Sequence, residues 1–492
     1  MPVVVAIDQG TTGSTALVFD RRGRVVGRAY SEFTQYYPQP GWVEHDAEEI
    51  WRVTRRVLRS ACRRAGVSGS EVAALGITNQ RETTVVWDRD TGRPVHRAIV
   101  WQDRRTADHC ARLRARGLER TVRRKTGLVL DPYFAATKLA WLLGHVPRLA
   151  ERARRGEVCF GTIDSWLLWK LTGGAVHATD ATNASRTLLY DIRRHRWDPD
   201  LCRLFGVPPA ILPDVRPPAS DFGTTTRDLL GTPVPIAGMA GDQQAALFGQ
   251  GCVRPGMAKN TYGTGCFLLL HTGDRAVPSK HGLLTTVACG PHGEVAYALE
   301  GSVFIAGAAI QWLRDGLGLL AEAAESERLA RSVDSALGVH LVPAFVGLGA
   351  PYWDAEARGA VLGLTRGVTK AHLVRAALEA MAYQTRDVVD AMVADGGRLR
   401  TLRVDGGASA NDFLMQFQAD LLGVTVERPS LVETTAMGAA FLAGQSRGVW
   451  RGPADLERAR HIATRFRPGL SKARREALQR GWREAIARVR TS

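Results

Sequence analysis

A short turn of glycine and threonine residues occurs twice in this chain, each time between two apolar runs. The first copy is Gly10-Thr11-Thr12-Gly13 and the second is Gly263-Thr264-Gly265. An apolar run, a tight turn and a second apolar run predict a strand, a turn and a strand. We therefore expect two related halves, each built around one such hairpin.

A turn of this composition suits phosphate binding. Glycine lets backbone N–H groups approach phosphate oxygens, and the threonines add small hydroxyls. Asp8, at the end of the first strand, places a carboxylate where it can hold a hydrated Mg²⁺ ion. An ordinary hairpin with Asx and threonine turn chemistry has the same composition. The turn alone leaves both interpretations open.

The chain has 492 residues, more than one hydrophobic core usually serves. We expect two domains, residues 1–250 and 251–492. Strand-like runs alternate with amphipathic helices, which is typical of an α/β fold. Helices are expected at residues 47–65 and 164–171, with Asp164 as the N-cap of the second.

Composition and missing motifs narrow the function classes. The chain contains neither G-x-x-x-x-G-K-[ST] nor G-x-G-x-x-G, so P-loop and dinucleotide-binding functions lose their sequence support. The net charge of +16 comes almost entirely from arginines on helical segments, without a nucleic-acid-binding motif. We expect solvated helix faces and no nucleic-acid partner.

The apolar runs and cysteines bear on location. The chain has no run of eighteen apolar residues and no leader-like start, so we expect a cytoplasmic protein without membrane insertion. Its seven cysteines are scattered and never form C-x-x-C, which favours reduced thiols over disulfides or a zinc site.

Four segments could carry chemistry. Asp242 follows an apolar stretch and opens a helix, where a carboxylate can act as the base that phosphoryl transfer needs; a plain N-cap aspartate is the alternative. Arg81 and Glu82 join two strand candidates and can bind polyol hydroxyls, unless they form an ordinary exposed ion pair. Trp101 and Tyr133 could line the same site, although most such residues are core.

Taken in order, these segments resemble the FGGY carbohydrate kinases, and among them the glycerol kinases. The resemblance covers essentially the whole chain and is nearly verbatim in Gly-Asp-Gln-Gln-Ala-Ala-Leu-Phe-Gly-Gln. The similar segments are residues 8–12, 79–83, 101–104, 131–134, 241–250, 261–267, 304–314, 349–354 and 403–420.

The resemblance implies two actin-like, ribonuclease-H-like α/β domains with a central cleft. It also implies Mg²⁺- and ATP-dependent phosphorylation of glycerol to sn-glycerol 3-phosphate, the entry step of glycerol catabolism, by a homodimer or homotetramer. Asp242 would be the general base, and Asp8 would place the metal. The implied glycerol-binding residues are Arg81, Glu82, Trp101, Tyr133, Asp242, Gln243 and Phe267. The implied nucleotide-binding residues are Thr11, Thr12, Gly13, Thr15, Thr264, Gly307, Gln311, Gly407 and Asn411.

Two departures from the family pattern stand out. Gly13 replaces a serine of the family, and Thr15 replaces an arginine that reaches the nucleotide phosphates, so a charge-assisted contact is missing. Residues 224–231 contain neither the glycine-rich basic loop that binds fructose 1,6-bisphosphate in some relatives nor the histidine that is phosphorylated in others. We expect neither control to operate.

Two alternatives stay open at this point. One is a kinase of the same family that acts on a larger substrate such as xylulose, erythritol or gluconate. The other is a non-catalytic relative that binds a nucleotide or a partner protein. Intact Asp8 and Asp242 argue against the second alternative, because a chain freed from catalysis has no physical need of both carboxylates.

Overall fold

The structure is a computed structural model that describes residues 2–354, 356–431 and 433–491. Its strands are β1 (Val3–Gln9), β2 (Gly13–Phe19), β3 (Val25–Glu32), β4 (Gln35–Tyr36), β5 (Glu44–His45), β6 (Val72–Asn79), β7 (Val85–Asp88), β8 (Ala98–Ile99), β9 (Val158–Gly161), β10 (Ala178–Asp180), β11 (Tyr190–Asp191), β12 (Arg196–Trp197), β13 (Asp214–Arg216), β14 (Ile236–Gly241), β15 (Met257–Tyr262), β16 (Cys266–Gly273), β17 (Leu284–Cys289), β18 (Val295–Val303), β19 (His340–Val342), β20 (Ala360–Leu362), β21 (Thr401–Asp405), β22 (Thr425–Pro429) and β23 (Ile462–Phe466).

Helices surround and connect these strands, so the expected mixed α/β class is confirmed. They are α1 (Ala47–Ala65), α2 (Ala107–Ala115), α3 (Glu119–Thr126), α4 (Ala135–His145), α5 (Leu149–Arg154), α6 (Ile163–Leu171), α7 (Ala181–Ala184), α8 (Pro199–Phe205), α9 (Arg227–Leu230), α10 (Asp242–Gly249), α11 (Gly307–Gln311), α12 (Glu325–Arg331), α13 (Lys370–Ala394), α14 (Asp412–Leu422), α15 (Thr434–Ser446), α16 (Pro453–Ala459) and α17 (Lys472–Ala487).

Two large sheets repeat one arrangement. The first has the order β14-β6-β1-β2-β3, and the second has the order β17-β18-β16-β15-β21-β22-β23. In the first, β1 pairs antiparallel with β2 and parallel with β6. In the second, β15 pairs antiparallel with β16 and parallel with β21. Each sheet therefore contains the predicted hairpin next to a parallel strand.

Local signals explain where the helices begin and end. Helix α1 occupies the predicted residues 47–65, because the Asp46 carboxylate accepts hydrogen bonds from the backbone N–H groups of Glu48 and Glu49 and Gly66 ends the helix with a φ of 67°. The expected N-cap role of Asp164 is wrong, since Thr162 precedes α6. The buried Asp164 carboxylate instead accepts hydrogen bonds from the hydroxyls of Thr162 and Thr179.

The helices that cover the sheets cross between the halves. Helices α1 and α6 pack on one face of the first sheet. Helix α15, from the second half, covers the opposite face, where a Cβ added at Gly76 or Gly238 would collide with the α15 backbone. Helix α10, from the first half, places Leu247 against Leu269 of the second sheet. The two halves therefore share one interface.

Two sequence expectations concern the whole molecule. All seven cysteines are free and buried. Within the described ranges, the molecule contains no helix with the length and apolar character needed to span a bilayer. Residues 208–235 include the short strand β13 and the short helix α9.

Candidate active site

Three neighbouring strand ends bring the predicted catalytic groups together. Strands β1, β6 and β14 run parallel, with Gln9 opposite Asn79 and Asn79 opposite Gly241. The segments that carry Asp8, Arg81 and Asp242 therefore meet at one edge of the first sheet. The carboxyl edge of parallel strands is where α/β proteins usually bind their ligands.

One cavity of about 150 Å³ opens at this edge. Its lining contains all seven residues predicted to bind substrate, together with Thr11: Thr11, Arg81, Glu82, Trp101, Tyr133, Asp242, Gln243 and Phe267. Thr11 was expected on the phosphate side, yet its hydroxyl accepts a hydrogen bond of 2.9 Å from the Trp101 indole. Thr11 therefore contributes a wall to this cavity as well.

Asp242 is held in place but remains reachable. Arg81 Nε lies 3.3 Å from Asp242 Oδ1, and the Asp242 side chain is 31% exposed. Gly241 rather than Asp242 occupies the N-cap position of α10, so the alternative of a plain capping aspartate is wrong. Asp242 also lines the cavity, where its carboxylate can accept a hydrogen bond from a substrate hydroxyl.

A buried ion network forms the floor of the cavity, and half of it was missed in the sequence. Arg81 donates to both carboxylate oxygens of Glu300, at 2.8 and 3.0 Å. Arg186 donates to Glu82 at 2.6 Å and to Glu300 at 3.1 Å. Although burial raises the pKa of Glu300, the adjacent Arg186 and Arg81 lower it to about 2. Arg186 and Glu300 stand in no motif of their own, so only the folded chain reveals them.

The backbone at Glu82 is unusual for its residue type. Its φ of 62° places a non-glycine residue in the left-handed region. Such conformations persist where the surroundings enforce them, and they cluster at functional sites. Here the ion pair with Arg186 and the position between two strands hold Glu82 in the wall of the cavity.

Asp8 carries a strongly shifted pKa. Burial and the nearby carboxylates of Asp242 and Glu433 raise the pKa of Asp8 to about 7. Asp8 therefore lies within electrostatic reach of two further carboxylates, and a cation placed beside it would relieve their repulsion. This is the electrostatic environment expected of a position that receives Mg²⁺ together with phosphates.

The two glycine-threonine turns are each closed by a backbone hydrogen bond but differ in length, with residues 10–13 in the first turn and residues 263–265 in the second. The Gly10 N–H donates to the Gly13 carbonyl at 2.9 Å, and the Gly263 N–H donates to the Gly265 carbonyl at 2.9 Å. Thr12 and Thr264 are exposed at the two turn tips. Both turns therefore offer hydroxyls and backbone N–H groups to a ligand in the cleft.

The other predicted nucleotide residues lie around the second turn. The Gly307 N–H donates to the Gly263 carbonyl at 3.0 Å, so the start of α11 packs against this turn, and Gln311 is exposed at the end of α11. Gly407 follows β21 and has open space where a side chain would be. Asn411 caps α14 and donates to Ser326 at 3.3 Å.

Tyr30 explains the glycine at position 13. Asp8, Thr15 and Tyr30 are aligned across β1, β2 and β3. A Cβ on Gly13 would lie 2.5 Å from the Tyr30 ring, which covers the turn from the neighbouring strand. The missing family arginine at position 15 therefore coincides with an aromatic ring on the same face of the sheet.

Comparisons with known proteins show what the whole chain is similar to. Residues 3–249 match the model described as "FGGY family of carbohydrate kinases, N-terminal domain", and residues 258–446 match the corresponding C-terminal domain. The chain is 58% identical over 489 residues to a glycerol kinase of Shewanella sp. (strain ANA-3), covering 99% of both chains. It is 59% identical to a glycerol kinase of Carboxydothermus hydrogenoformans, covering 99% of this chain and 98% of the relative.

A solved structure shows the same fold. The crystal structure of Plasmodium falciparum glycerol kinase with ADP has a TM-score of 0.94 and 34% identity, and the match covers 99% of this chain and 98% of that chain. The expected two-domain fold is confirmed by this likeness and by the two matched domains. The chain belongs to the FGGY family of carbohydrate kinases.

Proposed function

We propose that this protein transfers the γ-phosphoryl group of ATP to glycerol, giving sn-glycerol 3-phosphate and ADP. The observation that carries the proposal is the cavity of about 150 Å³ in which the Asp242 carboxylate adjoins the buried network of Arg81, Glu82, Arg186 and Glu300. The relatives named above are glycerol kinases, which supports the same substrate.

The size of the cavity favours a small polyol. Sites for drug-sized ligands usually measure about 300–1,000 Å³, whereas this cavity measures about 150 Å³. A three-carbon polyol has few enough atoms for such a space, and its hydroxyls match the charged and amide groups of the lining. Trp101 and Phe267 offer apolar surface to its carbon atoms. Glycerol is therefore favoured over xylulose, erythritol or gluconate.

The proposed reaction uses Asp242 as the general base. Asp242 takes the proton of the terminal hydroxyl while that oxygen attacks the γ-phosphorus. A new P–O bond to glycerol forms, the bond to the ADP oxygen breaks, and the proton remains on Asp242. Arg81 holds the Asp242 carboxylate in place during this step, since its Nε lies 3.3 Å from Oδ1.

The phosphate chain of ATP would lie between the two turns. Thr12 and Thr264, with the turn N–H groups, are the donors proposed for it. Within the described ranges, His, Cys, Asp and Glu side chains form no cluster of three that would cage a metal. Asp8 alone fits Mg²⁺, because this ion usually keeps several waters and binds one or two carboxylates plus substrate phosphates. Bound there, it would neutralise charge on the transferring phosphoryl group.

The proposal has three further parts. Chain length and the family resemblance support a division into domains at residues 1–250 and 251–492, and the lack of long apolar runs supports a cytoplasmic location. The family resemblance implies a homodimer or homotetramer. Sedimentation analysis of the purified protein tests the last of these. A monomer at all concentrations would contradict it.

The direct test is a coupled ADP-release assay with Mg²⁺-ATP. Glycerol, dihydroxyacetone, erythritol, xylulose and gluconate are compared for the wild type, Asp242→Asn, and Asp88→Asn as a control at a surface turn. We expect turnover with glycerol that Asp242→Asn lowers by about 10²–10⁴-fold and Asp88→Asn leaves unchanged. Turnover with only a larger substrate would identify another FGGY kinase, and no turnover at all would favour a non-catalytic relative.

A further inference from the structure

Lys259 is a buried lysine that the sequence did not single out. It lies in the centre of β15, opposite Leu269 of β16 and Arg403 of β21, and is fully buried. Lysine is almost never fully buried unless it is paired. Its Nζ donates hydrogen bonds to Gln243 Oε1 and, at 2.9 Å, to the Thr261 hydroxyl. One of these partners, Gln243, lines the proposed substrate cavity, so Lys259 can influence the site through it.

The bond to Gln243 fixes the direction of an amide in the cavity wall. Because Lys259 donates to Oε1, the amide must present Nε2 on its other side. Among the described residues, no acceptor bonds to Gln243 Nε2, which leaves its two donors available. Gln243 lines the proposed glycerol cavity. Lys259 thus decides whether the amide offers donors or an acceptor to a substrate hydroxyl.

The hydrogen bond to Thr261 connects Lys259 to the strand that leads into the second glycine-threonine turn. Thr261 comes two residues before Gly263, where the second glycine-threonine turn begins. Lys259 and Thr261 lie on the same face of β15, because side chains two apart in a strand point the same way. One ammonium group therefore joins the wall of the glycerol cavity to the strand that carries the second phosphate turn.

The charges around Lys259 come from several elements. Asp405 at the end of β21, Asp242 at the start of α10 and Glu300 on β18 favour its charged form, whereas Arg81 disfavours it. Burial is the largest influence and lowers the pKa of Lys259 to about 8. The side chain is thus positively charged at neutral pH and loses its charge in the mildly alkaline range.

We propose that Lys259 is a positioning residue for phosphoryl transfer, which orients the Gln243 amide toward the glycerol hydroxyl and holds it in register with the second phosphate turn. This inference rests on the proposed function and deepens it. Lys259 does not touch the reacting atoms and acts through Gln243 and Thr261.

Lys125 provides the matched control for a purely structural lysine. Its Nζ donates to Asp198 at 2.7 and 2.8 Å and to Asp200 at 2.8 Å, so it is at least as well bonded as Lys259. Its partners line no part of the proposed site. Removal of Lys125 should reduce stability alone.

The experiment compares Lys259→Met, Lys259→Arg, Gln243→Ala, the double variant Lys259→Met/Gln243→Ala and Lys125→Met. Steady-state kcat, the KM values for glycerol and ATP, and Tm are measured for each. We expect Lys259→Met to lower kcat on the order of 10²-fold, the loss that small misplacement of reactants produces. Lys259→Arg should recover at least part of it. The double variant should be no slower than the slower single variant, because the two residues act as a unit.

The pH profile gives a second readout. As pH rises through about 8, Lys259 loses its proton, so wild-type kcat should fall there. Lys259→Arg keeps its charge and should lack this limb. If Lys259→Met fails to fold, Lys259→Gln replaces it, since it keeps a polar group without the charge.

The outcomes distinguish a failure of the proposed glycerol phosphorylation from a failure of the proposed role of Lys259. A wild type that is silent with glycerol would overturn the proposed function and this inference with it. An active wild type with Lys259→Met within about threefold of its kcat would overturn the inference alone. Multiplicative losses in the double variant, or equal losses of kcat in Lys125→Met, would do the same.

Discussion

The two glycine-threonine hairpins share their strand arrangement but differ in turn length and in charge. When Gly10 is aligned with Gly263, Asp8 of the first strand corresponds to Thr261, and Ala6 corresponds to Lys259. The first half thus places a carboxylate before its turn, where the second half places a hydroxyl held by a cation. One strand arrangement, used twice, therefore carries a carboxylate in the first half and a hydroxyl bonded to a buried ammonium group in the second. Similar strand arrangements in the two halves do not imply similar chemistry.

The largest difference in kcat between the two halves is expected when the aligned residues Asp8 and Thr261 are replaced. Asp8→Asn should lower kcat by about 10²–10³-fold, because it removes the carboxylate proposed to place the metal. Thr261→Val, at the corresponding position, should lower kcat by less than about tenfold, since it removes a single neutral hydroxyl bond. Both are measured at saturating glycerol and varied Mg²⁺. Equal losses in the two variants would contradict a division of roles between the turns.

The next largest effect, on the free energy of unfolding, is expected from a change in the buried ion network that joins the two halves. Glu300 lies on β18 of the second sheet, and its partners Arg81 and Arg186 come from the first half. Glu300→Gln should lower the free energy of unfolding by about 3–5 kcal/mol, because it leaves buried arginines without their counter-charge. Urea unfolding measures this loss. Glu151→Gln, which breaks a surface pair with Arg155, is the control and should change little.

The glycines that close the two turns should respond differently to serine. At Gly265 a side chain would collide with the backbone carbonyls of Val303 and Phe304, whereas at Gly13 it would meet the exposed ring of Tyr30 and the Ser31 carbonyl. Gly265→Ser should therefore destabilise by about 1–3 kcal/mol, as overpacking does. Gly13→Ser should lose less, because the Tyr30 ring can move aside and the one carbonyl in the way, that of Ser31, lies at 2.8 Å, farther off than the Val303 carbonyl does at Gly265. Thermal unfolding of both variants measures the two losses of stability. A larger loss of stability in Gly13→Ser than in Gly265→Ser would show that the Tyr30 ring is fixed.

Restoration of the family arginine at position 15 tests whether the ATP phosphates bind beside the first turn. Thr15→Arg adds a cation beside Asp8 on the face that Tyr30 covers. If the phosphates lie there, the KM for ATP should fall by about tenfold, the size of a charge-assisted bond, while the KM for glycerol stays constant. Thr15→Gln, of similar reach but neutral, is the control. An unchanged KM for ATP would place the phosphates elsewhere.

The effect that is smallest over a single pH unit is a pH dependence of stability in the first half. Burial and nearby Asp164 raise the pKa of Asp180 to about 7. The folded chain then keeps a proton that the unfolded chain releases, so the contribution of Asp180 to stability is fully present below pH about 4 and is lost as pH rises toward 7, by at most about 1.4 kcal/mol per pH unit. Asp180→Asn should flatten this slope in urea titrations. A slope unchanged in the variant would assign the dependence to other groups.

Local signals made part of the fold predictable. Asp46 and Gly66 bound helix α1 at the predicted residues because both caps are short-range features. Asp164 was misassigned because the competing hydroxyl of Thr179 comes from a different element. The family resemblance gathered seven lining residues that the structure places in one cavity. Arg186, Glu300 and Lys259 were missed because their partners lie far away along the chain or carry no motif.

The crossing of α10 and α15 ties the halves together in a further way. Each sheet is covered by a helix that the other half of the chain contributes. A chain cut between residues 250 and 257 would give two fragments that each expose an apolar sheet face and carry the helix meant for the other. Such fragments should aggregate alone and recover activity by complementation when they are refolded together.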